Sequence, residues 1–166
     1  MALEALIGSD DESRMRRALE LAAEAAGAGE VPVGALVVSP AGEVVGRGRN
    51  RREEDQDPTA HAELLAIREA AAVLGSWRLV DCDLYVTLEP CAMCAGAIVL
   101  SRVRRVVFGA ADPKAGFCGS LGNLVEDERL NHRVTLVPGV LAEECGELLR
   151  SFFVGLRERR PGSLKV

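Results

Sequence analysis

The sequence predicts an α/β domain of three layers, α/β/α, around a central five-stranded mixed sheet. Three observations lead there. The 166 residues, 48% of them hydrophobic, suffice for one substantial core and are too few for two. Short apolar, β-branched runs recur along the chain, and the first two are separated only by Pro40-Ala41-Gly42, so they read as a hairpin. In the second half, strands alternate with stretches of helical periodicity, which calls for a sheet covered by helices on both faces.

Asp10 or Asp11 is placed to cap a first helix in which Met15, Ala18, Leu19, Leu21, Ala22 and Ala25 recur at helical spacing, and Gly27 and Gly29 end it. Val31 to Ser39 is nearly continuous in apolar character, as expected of a strand buried on both faces, and Glu43 to Arg49 is its hairpin partner. Asn50 to Pro58 reads as polar loop. Thr59 is expected to cap a second helix that carries His61 and Glu63 in its first turn and buries Leu64, Leu65, Ile67, Ala71 and Leu74 before Gly75. Leu84 to Leu88 is the third strand and delivers the chain to Pro90, whose fixed φ suits the first helical position. Cys91 and Cys94 then fall on one face of that turn. Arg104 to Phe108 is the fourth strand, Gly109 to Gly122 a glycine-rich loop holding Asp112, Lys114 and Cys118, and Leu121 to Asp127 a short helix. The turn Leu130-Asn131-His132-Arg133 leads into a fifth strand, Val134 to Val137. Pro138-Gly139 separates it from a last helix, Leu141 to about Leu156. The domain is expected to span residues 1–160, with 161–166 a disordered tail.

The chemistry gathers at His61-Ala62-Glu63 and Pro90-Cys91-Ala92-Met93-Cys94. One imidazole and two thiolates make three protein ligands for Zn²⁺, one ion per chain, and leave the fourth tetrahedral position open, as in catalytic rather than structural zinc sites. The dipole of the helix after Pro90 favours thiolate at its start. Taken singly, each part has a plainer reading: Cys-x-x-Cys as a structural half-site or redox pair, His61 as a satisfied polar residue, Glu63 as a first-turn acid. Their combination outweighs those readings, whereas Cys82, Cys118 and Cys145 are expected to be packing residues.

An odd cysteine count with two in metal spacing argues for a reducing compartment, the cytoplasm by default. The residues from Met1 to Ser13 lack a signal-peptide pattern, and no apolar run is long enough to span a membrane. The net charge of −5 argues against general nucleic-acid binding, but Arg150, Arg157, Arg159, Arg160 and Lys165 stand against Glu158 alone in the final segment. Such a local basic end engages phosphate on an acidic body as readily as it complements its own helix dipole.

His-x-Glu followed by Pro-Cys-x-x-Cys resembles the signature of the zinc nucleobase deaminases. The resemblance extends further. Val31-Pro32-Val33-Gly34-Ala35, Asp57-Pro58-Thr59-Ala60-His61-Ala62-Glu63, Leu84-Tyr85-Val86-Thr87-Leu88-Glu89-Pro90-Cys91, Val106-Val107-Phe108-Gly109-Ala110, Gly119-Ser120-Leu121, Asn131-His132-Arg133 and Ser151-Phe152-Phe153 are, in order, similar to the bacterial tRNA-specific adenosine deaminases of the cytidine deaminase-like superfamily. The resemblance implies a cytidine deaminase-like fold, a homodimer with each zinc site near the interface, and a tRNA anticodon stem-loop as partner. The implied reaction is conversion of the wobble adenosine to inosine, with an arginine tRNA of ACG anticodon as the expected substrate. It makes Glu63 the proton carrier and His61, Cys91 and Cys94 the zinc ligands. It also implies substrate contacts from Asn50, Ala62, Asp112, Lys114, Asn131, His132 and Phe153. Read without the resemblance, Asn50 is equally a strand-end turn residue, Asp112 and Lys114 ordinary loop charges, and Phe152 or Phe153 core. Two other functions compete: a free-base or nucleoside deaminase on the same fold, favoured by the acidic charge, and a non-catalytic zinc subunit, disfavoured by Glu63.

Overall fold

The strands pair in the order β2-β1-β3-β4-β5, and the sheet is mixed because its two halves are connected differently. In chain order the computed structural model, which describes residues 9–159, has α1 (Ser9–Gly27), β1 (Gly34–Val38), β2 (Val44–Arg49), α2 (Arg52–Asp55), α3 (Ala62–Leu74), β3 (Asp83–Leu88), α4 (Ala92–Leu100), β4 (Arg105–Ala110), β5 (Thr135–Val137) and α5 (Ala142–Arg159). The expected tail at 161–166 lies outside the described residues. A tight turn at Ser39 to Gly42, with the Gly42 amide donating to Ser39 O, permits the antiparallel β1–β2 hairpin. A helix separates β3 from β4, so the chain returns in the same direction and those strands pair in parallel. No helix among the described residues is long and apolar enough to cross a membrane.

The side-chain period of two sorts the sheet into two cores. Ala35, Val37, Leu84, Val86, Val106 and Phe108 point to one face and pack with Ala62, Ala66 and Ala70 of α3 and Ala95 and Ile98 of α4. Leu36, Val38, Tyr85 and Val107 point to the other, against Met15 and Ala18 of α1 and Cys145 of α5. Every residue of β1 is buried, as its continuous apolar run predicts.

Several expectations need correction. The buried face of α3 is Ala62, Glu63, Ala66 and Ala70; Leu64, Leu65, Ile67 and Ala71 are only half-buried, and Leu74 is exposed. Close approach to β2 is the cause. A Cβ on Gly46 would fall on the carbonyl of Ala66, and one on Gly48 on that of Ala62, so only alanines fit the contact. Thr59 does not cap α3: its amide and hydroxyl both donate to Asp57 Oδ1, and His61 occupies the cap position. Asp11 is no cap either. It lies buried in the first turn of α1, receiving two hydrogen bonds from Arg105 and one from Tyr85. The Asn50–Pro58 segment contains the short helix α2, and 121–127 forms turns instead of the expected helix.

Candidate active site

Both halves of the predicted metal motif arrive at helix N-termini on the α3/α4 side of the sheet. His61 has extended backbone angles as the N-cap of α3, and Cys91 has them as the N-cap of α4. Pro90 therefore precedes the helix instead of starting it, and Cys94 sits in its first turn. A bridge pairs Cys91 with Gly116, and the Phe117 amide donates to Pro90 O, which fixes Cys91 from the loop side.

His61 Nδ1 lies 3.7 Å from Cys91 Sγ and 3.5 Å from Cys94 Sγ. The three ligand atoms all lie within 4.8 Å of one another. With Zn–S near 2.3 Å and Zn–N near 2.0 Å, the N···S edge of a tetrahedral site is about 3.5 Å, so the donor set and its spacing fit zinc. The proton distribution agrees. A hydrogen bond from Cys94 brings the Cys91 thiol down to about 4, despite partial burial, while sharing that proton and being buried push Cys94 up. Both cysteines would have to be deprotonated to hold the ion.

Glu63 projects from the first turn of α3 and is 4% exposed. Burial pushes its carboxyl up to about 7, with its own backbone amide and His61 pulling the other way. That makes it a group able both to take and to give a proton near neutral pH. His61, Ala62, Glu63 and Cys91 share a cleft of about 200 Å³ with Asn50, Arg52, Glu89, Asp112 and Ala115, and with apolar walls from Val31, Val33 and Leu88.

The predicted contact residues divide into two groups. Asn50, Ala62 and Asp112 line the cleft. The Asn50 amide is anchored at both ends, Nδ2 donating to Val31 O and Oδ1 accepting from the Arg52 amide, each at 3.2 Å. Asp112 Oδ1 accepts the amides of Lys114 and Ala115, so the exposed Lys114 belongs to the rim through its backbone. Asn131, His132 and Phe153 are not on the cleft wall. His132 Nε2 lies 2.7 Å from Val103 O, and its turn leads into the start of β5 beside the start of β4, whereas Cys91 and Cys94 follow the end of β3; the turn is at the opposite end of the sheet. Phe153 is half-buried on α5, edge-to-face with buried Phe152 at 5.5 Å. Arg150 of the basic end is engaged by Glu147 at 3.0 Å.

Sequence reasoning passed over Glu89 and Arg52. Glu89 is 2% exposed, and its two carboxylate oxygens accept from the amides of Asp112, Cys118 and Ser120 and from the Ser120 hydroxyl. Burial raises its pKa, but the bonds from Ser120, Asp112 and Cys118 outweigh that and hold it below the ordinary value. A Cβ on Gly116 would fall on this carboxylate, so the loop wraps it closely. The available signal was an acid at the end of a buried strand, directly before Pro90-Cys91.

Fold and site together define a zinc-dependent deaminase of cytidine deaminase-like architecture. The chain belongs to the cytidine and deoxycytidylate deaminase family, whose zinc-binding region matches residues 8–110. It is 52% identical over 157 residues to the tRNA-specific adenosine deaminase of Bacillus subtilis, covering 95% of this chain and 97% of that one. Among solved structures, a tRNA:A34 deaminase of A-to-I editing at the wobble position superposes with TM-score 0.79 at 43% identity, covering 82% of this chain and 99% of the other. The guanine deaminase of Nitrosomonas europaea superposes with TM-score 0.76 at 29% identity, covering 86% and 84%.

Proposed function

We propose that this protein converts adenosine to inosine at the first position of a tRNA anticodon, with an arginine tRNA bearing the ACG anticodon as substrate. The observation that carries the reading is the buried Glu63 carboxyl beside a zinc-fitting triplet, two of whose members, His61 and Cys91, line the same small cleft. Near-full-length similarity to a tRNA-specific adenosine deaminase supports the choice of substrate.

Zinc held by His61, Cys91 and Cys94 supplies the Lewis acidity that makes a water nucleophilic near neutral pH. The remaining work belongs to the protein. Glu63 takes the water proton as the new C6–O bond forms and delivers it to adenine N1. It then carries the remaining proton from the C6 hydroxyl to the N6 amine, so that C6–N6 breaks, ammonia leaves and the C6 carbonyl of inosine forms. The target base must leave its stack to reach this cleft, and Asn50, Ala62 and Asp112, which line it, are assigned to receive it. Lys114, on the rim beside Asp112, is assigned to the RNA backbone, and half-buried Phe153 to shaping the approach along α5.

Two further assignments accompany this reading. α4 presents Met93, Gly96, Ala97 and Leu100 at helical spacing; Met93 is 37% and Leu100 68% exposed, and a Cβ on Gly96 would meet nothing within 4 Å. Such an open apolar stripe supports a two-fold homodimer through α4. Free thiols at all five cysteines support a cytoplasmic site of action.

Product release from an anticodon stem-loop, free guanine and cytidine, measured in parallel with zinc-loaded protein, tests the substrate. Inosine from the stem-loop is expected. Guanine turnover with no inosine would overturn the reading in favour of the free-base alternative, to which the Nitrosomonas europaea structure gives weight.

A further inference from the structure

Three arginines crowd the strand end and short helix beside the cleft, and they are not equivalent. Arg49 pairs with Glu54 at 2.9 Å, and Arg51 with Asp55 at 2.9 Å and Glu54 at 3.4 Å. Arg52 has no such partner: among the described residues no carboxylate lies within ion-pair reach of its guanidinium. It is nevertheless the residue of the three that lines the cleft. Its backbone is held in place, since its amide donates to Asn50 Oδ1 at 3.2 Å and Asn50 in turn donates to Val31 O. Two residues on, the Glu54 amide donates to buried Glu30 at 2.7 Å, which pins α2 to the body of the protein.

The rest of the cleft makes this arginine conspicuous. Its lining includes the carboxylates Glu63, Glu89 and Asp112, and among the described lining residues Arg52 is the one lysine or arginine. A neutral base needs no cation on the wall. A polyanionic strand entering a cleft bordered by carboxylates is favoured by one, and the exposed, unpaired Arg52 guanidinium is free to turn to a phosphate.

We propose that Arg52 binds the backbone phosphate immediately flanking the target nucleotide, and so selects a polymeric substrate over a free base or nucleoside. The assignment rests on the RNA reading given above. Arg52 is an RNA-binding residue in it, without a role in proton transfer.

The test uses zinc-loaded protein and anticodon stem-loops in three forms: unmodified, and with a single neutral methylphosphonate linkage on the 5′ or the 3′ side of the target adenosine. Arg52→Ala should weaken binding of the unmodified RNA about tenfold or more, with the catalytic loss carried by KM rather than kcat. It should also reduce the slope of log affinity against log salt by about 0.7, the value for one phosphate on a single strand. Arg52→Lys should restore most of the slope and part of the affinity. One of the two methylphosphonates should cost the wild type as much as the mutation does, and cost Arg52→Ala nothing further. An unchanged salt slope, or methylphosphonate penalties equal in wild type and Arg52→Ala, would overturn the assignment while leaving the RNA reading standing. A wild type that neither binds nor deaminates the unmodified stem-loop would overturn both.

Discussion

Replacing Glu89 by glutamine changes neither volume nor shape, yet it should loosen one wall of the active site. Oε1 accepts the amides of Cys118 and Ser120 at 3.1 and 2.9 Å, and Oε2 accepts the Asp112 amide at 2.8 Å and the Ser120 hydroxyl. Glutamine keeps one acceptor oxygen and turns an NH₂ toward the donors on the other side. The Ser120 hydroxyl can rotate away, but a backbone amide cannot, so at least one buried amide loses its acceptor and faces another donor. Each such loss costs about 1–3 kcal/mol, and removing the charge weakens the bonds that survive. The loop should therefore open about 3 kcal/mol more easily, roughly a hundredfold. Hydrogen exchange of zinc-loaded protein reads this directly: the amides of Asp112, Cys118 and Ser120 should lose about two decades of protection in Glu89→Gln, while those of β1 change little. The pH dependence adds a sign. Because the folded pKa is depressed, the contribution of Glu89 is fully present above the unfolded value near ~4.3 and fades as pH falls through the lower folded value. Glu89→Gln should lack that acid-dependent loss. Unaltered protection of these amides in the variant would refute the reasoning.

Two more perturbations follow from packing and charge. Gly48→Ala puts a Cβ onto the carbonyl of Ala62, so it should push the start of α3 off β2; a stability loss of about 1–3 kcal/mol in urea, together with weaker zinc retention, is expected, and neutral behaviour would show that α3 can shift freely. Arg105→Met removes the cation that Asp11 and Asp83, both nearly inaccessible, share, while Asp83 keeps its two hydrogen bonds from Arg104 and Asp11 keeps the Tyr85 hydroxyl. Because those partners remain, the loss should fall below the ~3–5 kcal/mol of a buried charge left uncompensated, and a denaturation midpoint at the wild-type value would contradict the role assigned to the network.

Features whose signals are local in sequence were legible, and those made by distant contacts were not. Val31 to Ser39 could be read as a doubly covered strand because burial on both faces leaves a continuous apolar run, and Pro40-Ala41-Gly42 marked its hairpin turn. The metal triplet was legible because thiol spacing and a histidine two residues from an acid are patterns of residue type. The cap of α3 was misplaced because Thr59 is committed to Asp57. The face of α3 was misjudged because its contact distance is set by glycines on another strand, so large residues were excluded where periodicity alone favoured them. α2 escaped notice because its four charged residues carry no apolar period; Asn50, Glu30 and ion pairs hold it. Asp11 looked like a cap because nothing nearby in sequence announces Arg105. Asn131 and His132 entered the candidate site by resemblance alone, and the parallel register of β4 and β5 sets their turn at the other end of the sheet.

The division of labour between zinc ligands and proton carrier is the central claim, and measuring bound zinc and inosine formation on the same protein samples tests it most directly. Wild type should hold one zinc per chain and form inosine. Glu63→Ala should hold the same zinc and lose about 10²–10⁴-fold in kcat, because only proton transfer is removed. Cys94→Ala should lose zinc and activity together, because a ligand is removed. Full zinc retention in Cys94→Ala, or near-normal turnover by zinc-replete Glu63→Ala, would contradict the account.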